Sequence, residues 1–397
     1  KPPTQTEAAK PPHRQQKHND HRKPTHPLTE ALIAGRMCLA GFASCVQQHG
    51  SPNYPAWDVL GSATGRIVRR RKSSVKAGHN APNTSGLRLA ALLIVGMTMV
   101  CHAEEFVPGN SVFGQRHFIE YIPGELPLVI AAPHGGRLVP EEIPNRTNGV
   151  TDIDANTQEL ARTIAAVVHA ETGRHIHLVV CRLHRSKLDA NRDRAEAAQG
   201  NELAEQAWQE HHAFIETACD AAVRQFGVAF LIDLHGHGHA DPRVELGYLH
   251  NALDLADCDE ALNESTYVNA SSLRWIVERS DLSHVDLLRG PLSLGALLEA
   301  RGFPATPSPR MPVPTEPFFR GGYTIARHCK ADKSITGLQI EANRPRLRDT
   351  AENRLRFANA LVSTLREYFP AHLGINLSGE PKSKDCQRVE ASLVPAQ

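Results

Sequence analysis

The chain has 397 residues, 41% hydrophobic and 22% charged, which leaves room for one large domain with tails or for two domains and excludes a polytopic membrane protein or a wholly disordered chain. Its net charge of +1 conceals an asymmetry: residues 1–86 hold 13 Lys and Arg against 4 Asp and Glu, whereas residues 87–397 hold 31 against 39, a net of −8. A body of that sign does not suit a phosphate-binding surface, so no nucleic-acid partner is expected.

Residues 1–86 are dense in Pro, His, Lys, Gln and Asn and carry no sustained apolar period, so they read as a disordered basic segment, with the run 69–72 a solvated charge cluster. The apolar stretch 89–100 follows Lys76 and Arg88 and precedes Cys101-His102-Ala103. A basic flank, an apolar core and small residues before a cut are the layout of a secretory signal, and 12 residues are too few for a stable membrane span. Export to the periplasm or beyond is therefore expected after cleavage near Ala103, and a cytoplasmic location if 87–103 is not used. A signal normally begins a chain, so residues 1 to about 74 are expected to come from an over-extended reading frame that starts near Val75.

From residue 104 to 370 the pattern is that of one folded domain. Apolar runs predict strands over 126–132, 177–181, 228–234 and 337–340, with 244–249 as a fifth candidate. Helical spacing predicts helices over 157–171, with Asn156 and Glu159 as a capping box and Gly173 as the stop, over 202–226 ending at Gly227, over 292–301 and over 350–369. Strands alternating with helices of this length predict an α/β fold, a three-layer α/β/α sandwich with a mostly parallel mixed sheet. The Pro-rich stretch 301–319 reads as a lid or binding loop, and 371–397 as a loose polar tail. Cys181, in an apolar run, is expected to be a buried free thiol; the five cysteines after residue 103 show no metal or redox spacing, and one disulfide among the others stays open.

In an open α/β sheet ligands bind beyond the carboxyl ends of the strands. Four such ends here carry polar residues: Pro133-His134-Gly135-Gly136, the run from Arg182 to Arg192, His235-Gly236-His237-Gly238-His239, and Glu341-Ala342-Asn343-Arg344. That inventory suits a catalytic zinc site with three N or O ligands. His134 and His235 are the first two candidates, and a carboxylate from Asp152-Ile153-Asp154 is the third, Asp154 ahead of Asp152. His237 and His239 compete if the strand continues past His235, which the intervening glycines argue against. Arg192 could hold a substrate carboxylate through its planar fork, against a plain ion pair with Asp189 or Asp193. Glu341, ending an apolar strand, has the place of a general base for metal-assisted hydrolysis.

These residues, in this order from about 127 to 348, resemble the N-formylglutamate amidohydrolase family, a branch of the zinc carboxypeptidase-like hydrolases. Pro133-His134-Gly135-Gly136 is similar to its Pro-His-[Ser/Ala]-Gly, Asp152-Ile153-Asp154 with Leu160 to its Asp-Thr-Asp run, and the segment Arg185 to Arg192 to its Arg-x-x-x-Asp-x-Asn-Arg. Asp233-Leu234-His235 is similar to its Asp-x-His-Ser with Gly236 in place of the Ser. Phe319-Arg320-Gly321-Gly322-Tyr323 and Gln339-Ile340-Glu341 complete the set, and Ala342 to Pro345 departs from the family's sequence after the Glu. The resemblance implies a phosphorylase/hydrolase-like architecture, zinc held by His134, Asp154 and His235, Glu341 as the catalytic residue, and Asn191 and Arg192 holding a carboxylate. Arg185, Gly322, Tyr323 and Arg327 are further candidates for substrate contact, with Asp152, Asp189 and His237 as alternates.

The function expected is a zinc-dependent amidohydrolase that cleaves an amide beside a carboxylate in an N-formyl or N-acyl amino acid or a short peptide. An exported zinc carboxypeptidase or cell-wall peptide amidase is the alternative that suits the signal. A non-catalytic binding protein on the same fold is a third, opposed by retention of all three ligand candidates and Glu341. Oligomeric state is not readable.

Overall fold

The computed structural model describes residues 106–381; the expectations for 1–86 and 87–103, for Cys386 and for most of the tail lie outside the described residues. Eight strands are labelled in chain order: β1 Val112–Phe113, β2 Ile119–Ile122, β3 Leu128–Ala132, β4 His177–Cys181, β5 Ala229–His237, β6 Val244–Gly247, β7 Ala305–Thr306 and β8 Ile335–Asn343. They form one mixed sheet in the order β1-β2-β4-β3-β5-β8-β6-β7. The inner four, β4-β3-β5-β8, are parallel. β2 joins β4 and β6 joins β8 antiparallel.

The layers follow from strand alternation. In β3, Leu128, Ile130 and Ala132 enter one core together with Leu160, Ile164 and Val168 of α1 (Thr157–Thr172) and Phe357, Leu361 and Leu365 of the helix Ala351–His372. Val129 and Ala131, on the opposite face, enter a second core with Ala207, Ile215 and Ala218 of the helix Glu202–Phe226. A strand buried on both faces has no polar side, which is why β3 reads as a continuous apolar run. The outcome is the three-layer α/β/α sandwich.

Several boundaries differ from the sequence reading. β5 runs on through Gly236 to His237, because β8 continues beside it and pairs His235 with Glu341, Gly236 with Ala342 and His237 with Asn343. Backbone pairing outweighs the weak strand propensity of glycine here. Asn156 does not cap α1 through its side chain; its amide instead donates to the Arg348 carbonyl at 3.0 Å. The last helix continues through Pro370 to His372, and Leu373 and Leu377 are buried, so the described start of the tail packs on the domain. Short helices between residues 252 and 289, and Tyr323–His328, escaped the pattern because four to six residues hold little more than one turn. Cys181 is a buried free thiol, pushed up to about 12 by burial, and Cys219, Cys258 and Cys329 are also free. Among the described residues no helix is long and apolar enough to cross a membrane.

His177 is one of several buried histidines that give the fold a pH dependence. His177 Nδ1 accepts from the Gly124 N–H at 3.0 Å and lies 2.9 Å from the Tyr121 hydroxyl. A backbone N–H can only donate, so this nitrogen must be bare and the ring neutral. Burial accordingly pushes His177 down to about 4. The unfolded chain takes up a proton near pH 6.5 and the folded chain only near 4, so stability is full above pH 6.5 and falls as pH drops between those values. This residue alone should cost on the order of 3 kcal/mol. Urea unfolding of the full chain at pH 7 and pH 4 should register the loss, and His177→Gln should flatten the slope; equal slopes in both proteins would dismiss the assignment.

Candidate metal centre

The carboxyl ends of β3, β5 and β8 converge because these strands are neighbours and parallel. β3 ends one residue before Pro133-His134, and the chain returns with Asp154, whose backbone N–H donates to the His134 carbonyl at 3.1 Å. On β5, Asp233 and His235 share one face by the two-residue period, and on β8 so do Gln339 and Glu341. The register sets His235 directly across from Glu341 on one side, and Glu245 of β6 across from Glu341 on the other.

His134, Asp154 and His235 thereby gather into one buried group with ligand-type atoms within 4.8 Å of one another. The His134 Nδ1 lies 3.4 Å and the His235 Nδ1 3.2 Å from the same oxygen, Asp154 Oδ2. Each ring turns its other nitrogen outward to a second buried carboxylate: His134 Nε2 to Asp189 Oδ1 at 2.6 Å, and His235 Nε2 to Asp233 Oδ2 at 2.9 Å. A carboxylate on the outer ring nitrogen is how metal-binding histidines are oriented with the inner nitrogen toward an ion. His134 Nδ1 is also a buried nitrogen without a hydrogen-bond partner. Two imidazole nitrogens and a carboxylate oxygen are a donor set that fits zinc and leaves a fourth position.

Without a cation, protons hold the group together: burial would lower His235, but Asp233 and Asp154 raise it well above the ordinary imidazole value, so its Nδ1 donates to Asp154, and a bound cation would displace that proton. Burial alone would raise Asp154, but the His134 and His235 rings hold it well below the usual carboxylate range. Asp189 is likewise lowered against its burial, by His134 and by Arg185, whose Nε donates to Asp189 Oδ2 at 3.0 Å. Glu341 goes the other way. Burial, with the neighbouring carboxylates Asp154 and Glu245, pushes it up to about 8 while His235 pulls down. The Gln339 amide donates to Glu341 Oε1 at 2.9 Å and fixes its carboxyl.

These groups floor a cavity of about 370 Å³, also lined by Asn191, Arg192, Phe318, Phe319 and Arg320. The remaining sequence candidates are distributed as follows. Arg185 lines the cavity but is committed to Asp154 and Asp189. Asn191 acts as a pin: its Oδ1 accepts from the Thr324 N–H at 2.8 Å, and its Nδ2 lies 3.1 Å from His235 Nε2 and donates to Gln339 Oε1 at 3.4 Å. Gly322 permits this pin, since a Cβ there would meet Asn191 Nδ2 at 2.2 Å. Arg192 reaches the cavity and pairs with Glu196 at 3.1 Å. Asp152 is exposed and outside the group. Tyr323 and Arg327, read as substrate contacts, do not line the cavity; they pack on Trp208, and Arg327 pairs with Glu216 at 3.1 Å.

His237 and His239 do not compete for the first group but join Glu245 in a second one. Its atoms are already engaged. His237 Nε2 donates to the Arg243 carbonyl at 2.7 Å and its Nδ1 accepts from the His239 N–H at 3.2 Å, while Glu245 accepts from Arg243 at 3.2 Å and from the Phe319 N–H at 2.9 Å. This is a hydrogen-bonded clamp on the Pro-rich loop. Sequence reading missed it, along with Arg348, whose guanidinium lies over Gly236 where a Cβ would meet its Nε at 2.3 Å. Arg348 also donates to the carbonyls of Ala342 and His237, at 2.9 and 3.0 Å, which ties β5 to β8 beside the metal group. Asp233 did carry a signal, its two-residue spacing from His235.

No family model matches the chain, and no curated relative does. Solved structures similar to it include N-formylglutamate amidohydrolase from Ralstonia eutropha JMP134, 16% identical over 64% of this chain and 96% of that one with a TM-score of 0.39. A gene product of Agrobacterium tumefaciens is 12% identical over 64% and 94%, TM-score 0.38. A candidate metallopeptidase of Shewanella amazonensis SB2B is 13% identical over 66% and 86%, TM-score 0.31.

Proposed function

We propose that this protein is a zinc-dependent hydrolase of carbon–nitrogen bonds, cleaving an amide beside a carboxylate in an N-acyl amino acid or short peptide. The observation that carries the reading is the pair of imidazoles whose Nδ1 atoms meet at Asp154 while buried Asp189 and Asp233 hold their Nε2 atoms. His134, Asp154 and His235 would hold the ion. When bound, a divalent cation there polarises the amide carbonyl, acidifies the attacking water and draws the neighbouring carboxyl pKa down.

The rest is the work of the chain. Glu341, buried and lifted toward neutrality, takes a proton from water as the O–C bond forms. It returns that proton to the amine nitrogen as the C–N bond breaks, so the products are a carboxylic acid and an amine. Arg192 and Arg320 bring positive charge to the same cavity and suit a substrate carboxylate. The floor around Glu341 and His235 is closed by buried strands, which limits water to the cavity side.

Metal analysis of the purified full chain, with a hydrolysis screen over N-formyl, N-acyl and dipeptide substrates, tests this. About one zinc per chain and turnover abolished by a chelator and restored by zinc are expected. Retained zinc without turnover of any amide would make the protein a binding module, and no retained metal would overturn the reading at its base.

A further inference from the structure

The cavity carries apolar side chains beside its polar floor. Its volume of about 370 Å³ lies within the range of ordinary small-ligand sites, about 300–1,000 Å³, so the lining rather than the size bears on what it takes. Two apolar side chains that line this cavity are left in solvent, Phe319 at 44% and Val150 at 52% exposure, and half-buried Phe318 adjoins them. Scattered exposed apolar residues are ordinary, but several in one pocket beside a polar centre mark a ligand contact.

Phe319 is held as well as exposed. Its N–H donates to Glu245 Oε2 at 2.9 Å, and its ring stacks on His239 with centroids 4.9 Å apart and planes at 23°. Glu245 is wholly buried and bound by Arg243, which also donates to the Thr315 and Pro317 carbonyls, the latter at 3.1 Å. Burying an Arg–Glu pair is costly in desolvation. Here the pair spans the loop and holds Phe319 at the lining of the cavity before any ligand arrives, and preorganisation of this kind raises affinity for an apolar group that meets it.

We propose that Phe319, with Phe318 and Val150, forms an acyl subsite for a large apolar group, so that the preferred substrate is an N-aroyl or comparably bulky N-acyl amino acid rather than a formamide. The inference rests on the amide hydrolysis proposed above and names its substrate class. The acyl group lies on the Phe319 face, and the amino-acid carboxylate meets the arginines of the same cavity.

The test uses the full zinc-loaded chain and matched N-formyl and N-benzoyl derivatives of glutamate, alanine and phenylalanine. The benzoyl compounds should exceed the formyl ones in kcat/KM by about tenfold or more, as burial of a phenyl ring allows. In Phe319→Ala that ratio should fall by about tenfold, and Val150→Ser should lower it in the same direction. A preference for formyl, or a ratio unmoved by both variants, overturns the subsite. A loss of kcat/KM equal for both acyl groups does so too, and would leave Phe319 as a water-excluding cover. If no derivative is turned over, calorimetric binding of the same pairs separates the two readings: tighter benzoyl binding that is lost in Phe319→Ala keeps the subsite while hydrolysis fails, and equal affinities sink the subsite.

Discussion

Glu341→Gln is expected to lower kcat by about 10²–10⁴-fold, the range of a positioned acid or base, while zinc content stays that of the parent. Gln preserves volume at a fully buried position where a cavity or a misfit would be felt. Its Oε1 can still accept from the Gln339 amide, which holds Glu341 at 2.9 Å. Removing a carboxyl beside Asp154 and Glu245 relieves the crowding that lifts Glu341 to about 8, so the fold should hold or gain stability. What the variant lacks is the proton acceptor. Zinc and kcat measured on one sample decide the role: a parallel fall of both would make Glu341 a ligand, and unchanged kcat would mean that the base lies elsewhere.

His235→Ala is expected to remove most of the bound zinc and with it nearly all turnover, because a site with three protein ligands does not tolerate the loss of one. The substitution also strands two buried carboxylates. Asp233 Oδ2 loses the ring it meets at 2.9 Å, its Oδ1 having no partner, and Asp154 loses one of its two imidazoles. Breaking a buried charge pair on one side costs about 3–5 kcal/mol, so thermal unfolding must be followed with metal content. His235→Asn retains a polar side chain for Asp233 and should keep more of the stability with as little zinc. Full zinc occupancy in a folded variant would refute the ligand assignment and return His237 and His239 to consideration, although the structure sets those two in a separate hydrogen-bonded group with Glu245.

His134, His235 and Glu341 were legible because each ends or directly follows an apolar run, and Asp154 because it stands where the chain returns from β3 just ahead of α1. A buried strand is readable as local composition, and a His or Glu that ends such a run stands out against it. Alternation in β3 and β5 likewise carries its own geometry, since the two-residue period alone sets Asp233 beneath His235 and gives each face of the sheet its core. The α/β layering follows from those same local patterns.

Other features depended on partners remote in the chain. Asp189 meets His134 across 55 positions, and Asn156 leaves its capping role for a carbonyl 192 residues away. β5 extends past Gly236 because β8 offers it hydrogen bonds, and Glu245 clamps Phe319 from 74 residues upstream. Strand register, the approach of loops and the pairing of buried charges are set only when all elements pack at once, since each buried polar group takes whichever partner the finished sheet brings within reach. Sequence alone therefore determined the layered class of fold and singled out the candidate residues that the carboxyl edge of the sheet brings together. Tertiary structure decided how those residues are oriented, which histidines stand outside the centre, and what shape of cavity lies above it.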